Sequence, residues 1–167
     1  MFHNPVRQPG PDSVRRRIYR ILYESQDFQS RRTLAQQCEI SLPTLYQHLS
    51  ELMKDGLVRY SGEEQSTGGR KVQGLTIVPE ARFAVGISVM ENRLRLSAAD
   101  LRLREIAYQK SAVSNVSQML RQPKVIAETL ESFLDDHGLE RARLLGVGIT
   151  LPGIVAPAGD RLLTAPT

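Results

Sequence analysis

One cysteine, no tryptophan and no long apolar run: each of these shortages narrows what the chain can be. A single cysteine, Cys38, excludes an internal disulfide and a cysteine-rich metal site. It falls where a short helix is expected to end, so it reads as a small buried thiol rather than a reactive one. Aromatic residues make up only 5% of the chain. No stretch approaches the roughly 20 consecutive apolar residues that a membrane-crossing helix needs. The N-terminus lacks the apolar core of a signal peptide. The expectation is a cytoplasmic protein without a membrane partner. At 167 residues the chain has room for one large or two small domains, and for a core that needs no covalent staples. The net charge of +4 is compatible with nucleic acid but does not establish it. The distribution is more telling: Arg7, Arg15, Arg16, Arg17, Arg20, Arg31 and Arg32 precede residue 33, against only Asp12, Glu24 and Asp27.

What is present is concentrated between Ser30 and Lys71. Residues 1–11 hold Pro5, Pro9, Gly10 and Pro11 and read as an arm. Asp12 or Ser13 caps a first helix to about Glu24, with Ile18, Ile21 and Leu22 inward. Ser30 caps a short helix from Arg31 to about Cys38. Ser41 caps a third, with Pro43 tolerated in its first turn. Leu45, Leu49 and Leu52 recur at helical spacing and face a core, which turns Thr44, Gln47 and Glu51 outward. Gly56 supplies a left-handed stop. Two strands follow, from Leu57 and from about Val72 to Ile77, joined by a turn-rich stretch. That order is a winged helix-turn-helix, which places its recognition helix in the DNA major groove.

The candidate contacts follow from this placement. Pro43, Thr44, Tyr46 and Gln47 lie in the first turns of the recognition helix, where base edges are met, with His48 nearer the buried side. Gln47 has the donor and acceptor to pair bidentately with adenine, worth about 1–3 kcal/mol of discrimination. Thr44 offers a methyl to thymine or a hydroxyl to phosphate, and Tyr46 a hydroxyl to phosphate. Ser30 and Ser41 cap the two helices, and Arg31 and Arg32 stand beside the amides of the first, suited to a phosphate oxygen. In the wing, Ser66, Thr67, Gly69, Arg70 and Lys71 combine close backbone approach with charge, and Arg70 suits a narrow minor groove.

Beyond Pro79 the pattern changes, and the domains are set at 12–79 and 80–167. Residues 83–90, 93–100 and 104–113 read as strands, the first two joined at Glu91-Asn92. Pro123 opens a helix with Ile126, Leu130, Phe133 and Leu134 on one stripe, closed by Gly138. Residues 144–151 form a continuous apolar run, as expected of a strand covered on both faces. A further short strand is expected between Ile154 and Leu163. The fold class is thus α+β to α/β: a winged helix-turn-helix followed by a β-β-β-α-β unit, the order that begins a ribonuclease H-like or actin-like lobe of the ATPase type. Pro152 and Gly153 follow the buried strand at its carboxyl end, where ligands of open α/β sheets gather, and are candidates for the border of a ligand cleft.

The helix-turn-helix, the STGGR wing, the AVGI strand and the later GVGITLPGIV together resemble the ROK family (repressors, open reading frames and kinases) along nearly the whole chain. The resemblance implies a sugar-responsive, DNA-binding transcriptional regulator, most simply a repressor of carbohydrate genes. Its partners would be double-stranded operator DNA, a sugar or sugar-phosphate effector, and further copies of itself. It also implies that the family's sugar-contacting Asn-Asp pair and its cysteine-rich zinc motif match positions after Thr167, so no cofactor or metal ligand is assigned within this chain. Family wings often read GGRP; Lys71 here replaces that proline with a charge. The family's kinases carry a DxGxT phosphate loop after their first strand. Ser88 and Met90 occupy its Asp and Gly positions, and neither supports phosphate and Mg²⁺ there, so no enzymatic activity is expected. Two other readings remain: a kinase despite those changes, and a winged helix used for protein contact.

Overall fold

The computed structural model describes residues 13–25, 28–64, 72–90, 93–112, 122–151, 153–156 and 162–164. The expected arm and the Glu91-Asn92 turn lie outside them. The chain divides into two compact units, Met1–Pro79 and Glu80–Thr167.

In the first unit, helices α1 (Val14–Glu24), α2 (Arg31–Gln37) and α3 (Leu42–Lys54) precede strands β1 (Val58–Glu64) and β2 (Val72–Ile77). All three helices begin on a serine whose hydroxyl accepts an otherwise orphaned amide: Ser13 from Arg16, Ser30 from Thr33 and Ser41 from Thr44. The turn between α2 and α3 is tight because Glu39 takes a left-handed conformation (φ 53°). The amide of Glu39 then returns to the Gln36 carbonyl and that of Ile40 to the Ala35 carbonyl. Helix α3 ends in the same way at Gly56 (φ 70°), whose amide reaches Met53 O while that of Leu57 reaches Leu52 O. Ile18 and Leu22 of α1, Leu34, Ala35 and Cys38 around α2, Leu45, Leu49 and Leu52 of α3, and Val58, Leu75 and Ile77 of the hairpin form one buried cluster. Burial pushes the Cys38 thiol up, against the opposing pull of the Arg17 charge, which keeps it protonated and inert.

Strands β1 and β2 pair antiparallel with an irregularity between Ser61 and Glu63. The link between α1 and α2 adds an isolated antiparallel bridge to β2. The amide of Gln29 donates to Leu75 O at 2.9 Å, and the amide of Leu75 donates to Gln29 O at 2.8 Å. The hairpin is therefore tied to the helices from both sides of α2.

In the second unit, strands β3 (Phe83–Met90), β4 (Arg93–Asp100) and β5 (Glu105–Ala112), helix α4 (Pro123–Asp136) and strand β6 (Leu144–Thr150) build a sheet of order β5-β4-β3-β6. Neighbours are antiparallel except β3 with β6, which run parallel. One sheet face, carrying Phe83, Val85, Ile87, Val89, Leu94, Leu96, Ala98 and Ala107, packs with Phe133 and Leu134 of α4. The last strands, β7 (Ile154–Val155) and β8 (Leu162–Thr164), pair with each other, where a single strand was expected. Strand β6 departs from expectation too. It is the outermost strand of its sheet, so Leu145, Val147, Ile149 and Leu151 remain 38–62% exposed instead of being covered on both faces.

Asp100, at the end of β4, is the one buried charged residue among those described. Its Oδ1 accepts from the Arg102 and Arg104 amides at 2.8 and 3.0 Å, and its Oδ2 from Arg104 Nε at 2.8 Å. Burial alone would raise its pKa. The Arg104 and Arg102 hydrogen bonds and the Arg104 charge overcome that and hold it below the usual aspartate value. A lowered folded pKa stabilises above the ordinary carboxylate range and is lost as pH falls through the folded value. Acid unfolding of this unit, followed by circular dichroism, is expected to steepen below about pH 4. Asp100→Ala should remove that dependence and, by orphaning two amides, cost about 1–3 kcal/mol at neutral pH.

Candidate nucleic-acid interface

Helix α3 presents two faces of opposite character because its apolar residues recur every three or four positions. Leu45 is fully buried, and Leu49 and Leu52 are each 2% exposed. Pro43, Tyr46, Gln47, Ser50 and Glu51 are exposed, and Thr44 and His48 lie between the two faces. Gln47 makes no hydrogen bond to another described residue, so its amide is available to an outside partner. Thr44 is less free than the sequence implies: its hydroxyl lies 2.8 Å from Ser41 Oγ. The same Ser-x-x-Thr clasp starts α2, with Ser30 Oγ 2.8 Å from Thr33 Oγ1. Each serine thus closes a helix start. His48 Nδ1 sits 3.8 Å from Glu51 Oε2, too far for a hydrogen bond, and the atom is buried.

The arginines sort into two kinds. Arg15 of α1 pairs with Glu51 (3.8 Å) and Asp55 near the far end of α3, so it braces the helix. Arg32 is exposed. Arg31 lies with its guanidinium carbon 5.5 Å from the Tyr46 ring centroid and 5.7 Å from that of Tyr60. This brings α2, α3 and β1 together at one point. Tyr60 was not a sequence candidate; strand alternation marks which side of β1 it is on but not which helix residue waits there. Ser66, Thr67, Gly69, Arg70 and Lys71 lie outside the described residues, as does Pro152. Gly153 has φ 126°, which side chains rarely adopt, so a turn at that position needs glycine. Among the described residues no three His, Cys, Asp or Glu side chains gather to hold a metal, and no helix is long and apolar enough to cross a membrane.

A helix-turn-helix domain model matches residues 12–61. The DNA-binding transcriptional dual regulator NagC of Escherichia coli K12 is 22% identical over 147 residues, 87% of this chain and 35% of NagC. The xylose repressor of Bacillus subtilis (strain 168) is 25% identical over 126 residues, 75% of this chain and 33% of that protein. The crystal structure of a ROK family transcriptional regulator, a homolog of the E. coli MLC protein, superposes with a TM-score of 0.64 over 90% of this chain and 38% of its own, at 19% identity. Along most of its length the chain is similar to these regulators, one of them a member of the ROK family. It spans about a third of the length of the curated relatives it matches. The superposition covers residues of both units, so the winged helix and the β-β-β-α-β unit each share the fold of that regulator.

Proposed function

We propose that this chain is the DNA-reading portion of a sugar-responsive transcriptional regulator, a repressor of carbohydrate uptake or metabolism genes acting in the cytoplasm as an oligomer. One observation carries the reading: α3 buries Leu45, Leu49 and Leu52 and holds Pro43, Tyr46 and Gln47 out to solvent. In this reading Gln47 meets adenine, and Thr44 gives its methyl to thymine while its hydroxyl stays on Ser41. Ser30, Arg31, Arg32, Ser41 and Tyr46 grip the sugar-phosphate backbone. The wing residues Ser66, Thr67, Gly69, Arg70 and Lys71 follow the adjoining groove. Paired half-sites ask for paired readers, hence the oligomer.

The chain is not a kinase in this reading. Ser88 and Met90 end β3 where phosphate chemistry asks for a carboxylate and an unobstructed backbone, and Met90 is 48% exposed. Gly153, beyond β6, borders the effector cleft together with Pro152. The names of the relatives support a sugar effector: N-acetylglucosamine repressor for one group and xylose repressor for another.

The test is a gel-shift titration of the 167-residue chain against DNA from upstream of its own gene at low salt. A shift is expected. Gln47→Ala should relax sequence preference by about 1–3 kcal/mol, while Arg70→Ala should weaken binding to every sequence and reduce the salt slope by about 0.9. Absence of any shift at low salt would overturn the reading, and sustained ADP release on hexoses would replace it with the kinase.

A further inference from the structure

We infer that Tyr60 is a positioning residue for DNA binding: its ring and that of Tyr46 form a cradle that holds the Arg31 guanidinium ready for one backbone phosphate. The inference rests on the DNA-reading function proposed above and adds a residue and a mechanism to it.

The geometry is specific. Arg31 is the first residue of α2, Tyr46 sits in the second turn of α3, and Tyr60 is in β1. The guanidinium is within 6 Å of both ring centroids, the range in which a cation is attracted to a π face. Both tyrosines are nearly half exposed, at 47% and 44%, so neither ring is held there by core packing. No carboxylate among the described residues pairs with Arg31, in contrast to Arg15, which is occupied by Glu51 and Asp55. Arg31 is therefore restrained without being neutralised.

That combination suits a phosphate. A free arginine loses rotamer freedom when it grips an anion. One already held against two rings has lost much of it before binding, and its fork of N–H donors remains available for a bidentate contact. The ligand class is the phosphodiester backbone, read without regard to sequence. The contact joins the helix before the turn, the recognition helix and the root of the wing, so a single phosphate registers all three elements on the duplex.

The experiment measures binding of the 167-residue chain to a mixed-sequence duplex over a salt series. Arg31→Ala is expected to weaken binding about tenfold and lower the salt slope by about 0.9, one phosphate contact. Tyr60→Ala should weaken it about two- to fivefold, a loss of preorganisation whose ceiling is the strength of one exposed cation–π contact. Tyr60→Phe, which keeps the ring, should stay within about twofold. In the Arg31→Ala background, Tyr60→Ala should change nothing further, because its effect passes through the guanidinium. Melting curves check that each variant is folded; if Tyr60→Ala is not, Tyr60→Leu keeps the bulk without the π face and takes its place. Equal losses from Tyr60→Ala in both backgrounds, or none in either, overturn the cradle while leaving the DNA-reading function intact. Failure of the unaltered chain to bind the duplex overturns both.

Discussion

Leu45→Ala is expected to destabilise the first unit by about 2–5 kcal/mol, the cost of a buried leucine truncated in a core that relaxes incompletely. Leu45 is fully buried and shares its cluster with Leu34, Leu49 and Leu52. Small domains hold only about 5–15 kcal/mol in total, so the thermal midpoint of the helical signal should fall by roughly 10 °C or more, and DNA binding should be lost with it. Gln47→Ala, two residues on and exposed, should move the midpoint by no more than the equivalent of about 0.5 kcal/mol while changing sequence preference. The contrast measures the orientation of α3. A melting curve lowered by Gln47→Ala and untouched by Leu45→Ala would mean that the helix is turned the other way.

Gly74→Ala should be nearly as damaging, for a reason unrelated to hydrophobic burial. A Cβ at Gly74 would run into the ring and Cβ of Phe28. Phe28 has little freedom to withdraw, because the next residue, Gln29, is hydrogen-bonded to Leu75 through both its amide and its carbonyl. Overpacking of this kind costs about 1–3 kcal/mol, visible as a lower urea midpoint. Removing the obstruction should recover part of the loss: Phe28→Ala ought to be less harmful in the Gly74→Ala background than alone. Strictly additive losses would show that the ring and the glycine do not meet.

The contrast between these two sites marks how much was readable in advance. Leu45, Leu49 and Leu52 announce their face by local spacing, and Ser13, Ser30 and Ser41 announce helix starts because a short polar side chain before an apolar run satisfies amides a few residues away. Gly56 and Gly138 mark helix ends through a conformation that only glycine enters cheaply. Alternation placed β3, β4 and β5, and Pro123 opened α4. All of these are local. Phe28 against Gly74, Gln29 beside Leu75 and Arg31 against Tyr46 and Tyr60 join residues far apart in the chain, and no spacing rule reaches them. In the sequence Asp100 is only the last residue of a strand; its partners Arg102 and Arg104 are close along the chain, but only the folded turn aims their amides at it. The apolar run of β6 stated a preference for burial correctly and could not state whether a neighbour was at hand. Thr44 looked like a free hydroxyl because a helix start does not reveal which of two nearby oxygens will be shared.

Strand β6 ends the sheet as an oily margin: among the described residues no strand pairs with its outer edge, and Leu145 and Ile149 are about half bare to water. Such a margin is adhesive toward its own kind. The ceiling on how concentrated this polypeptide can become in water is thus set by its second unit, and a charged residue introduced at Leu145 should raise it.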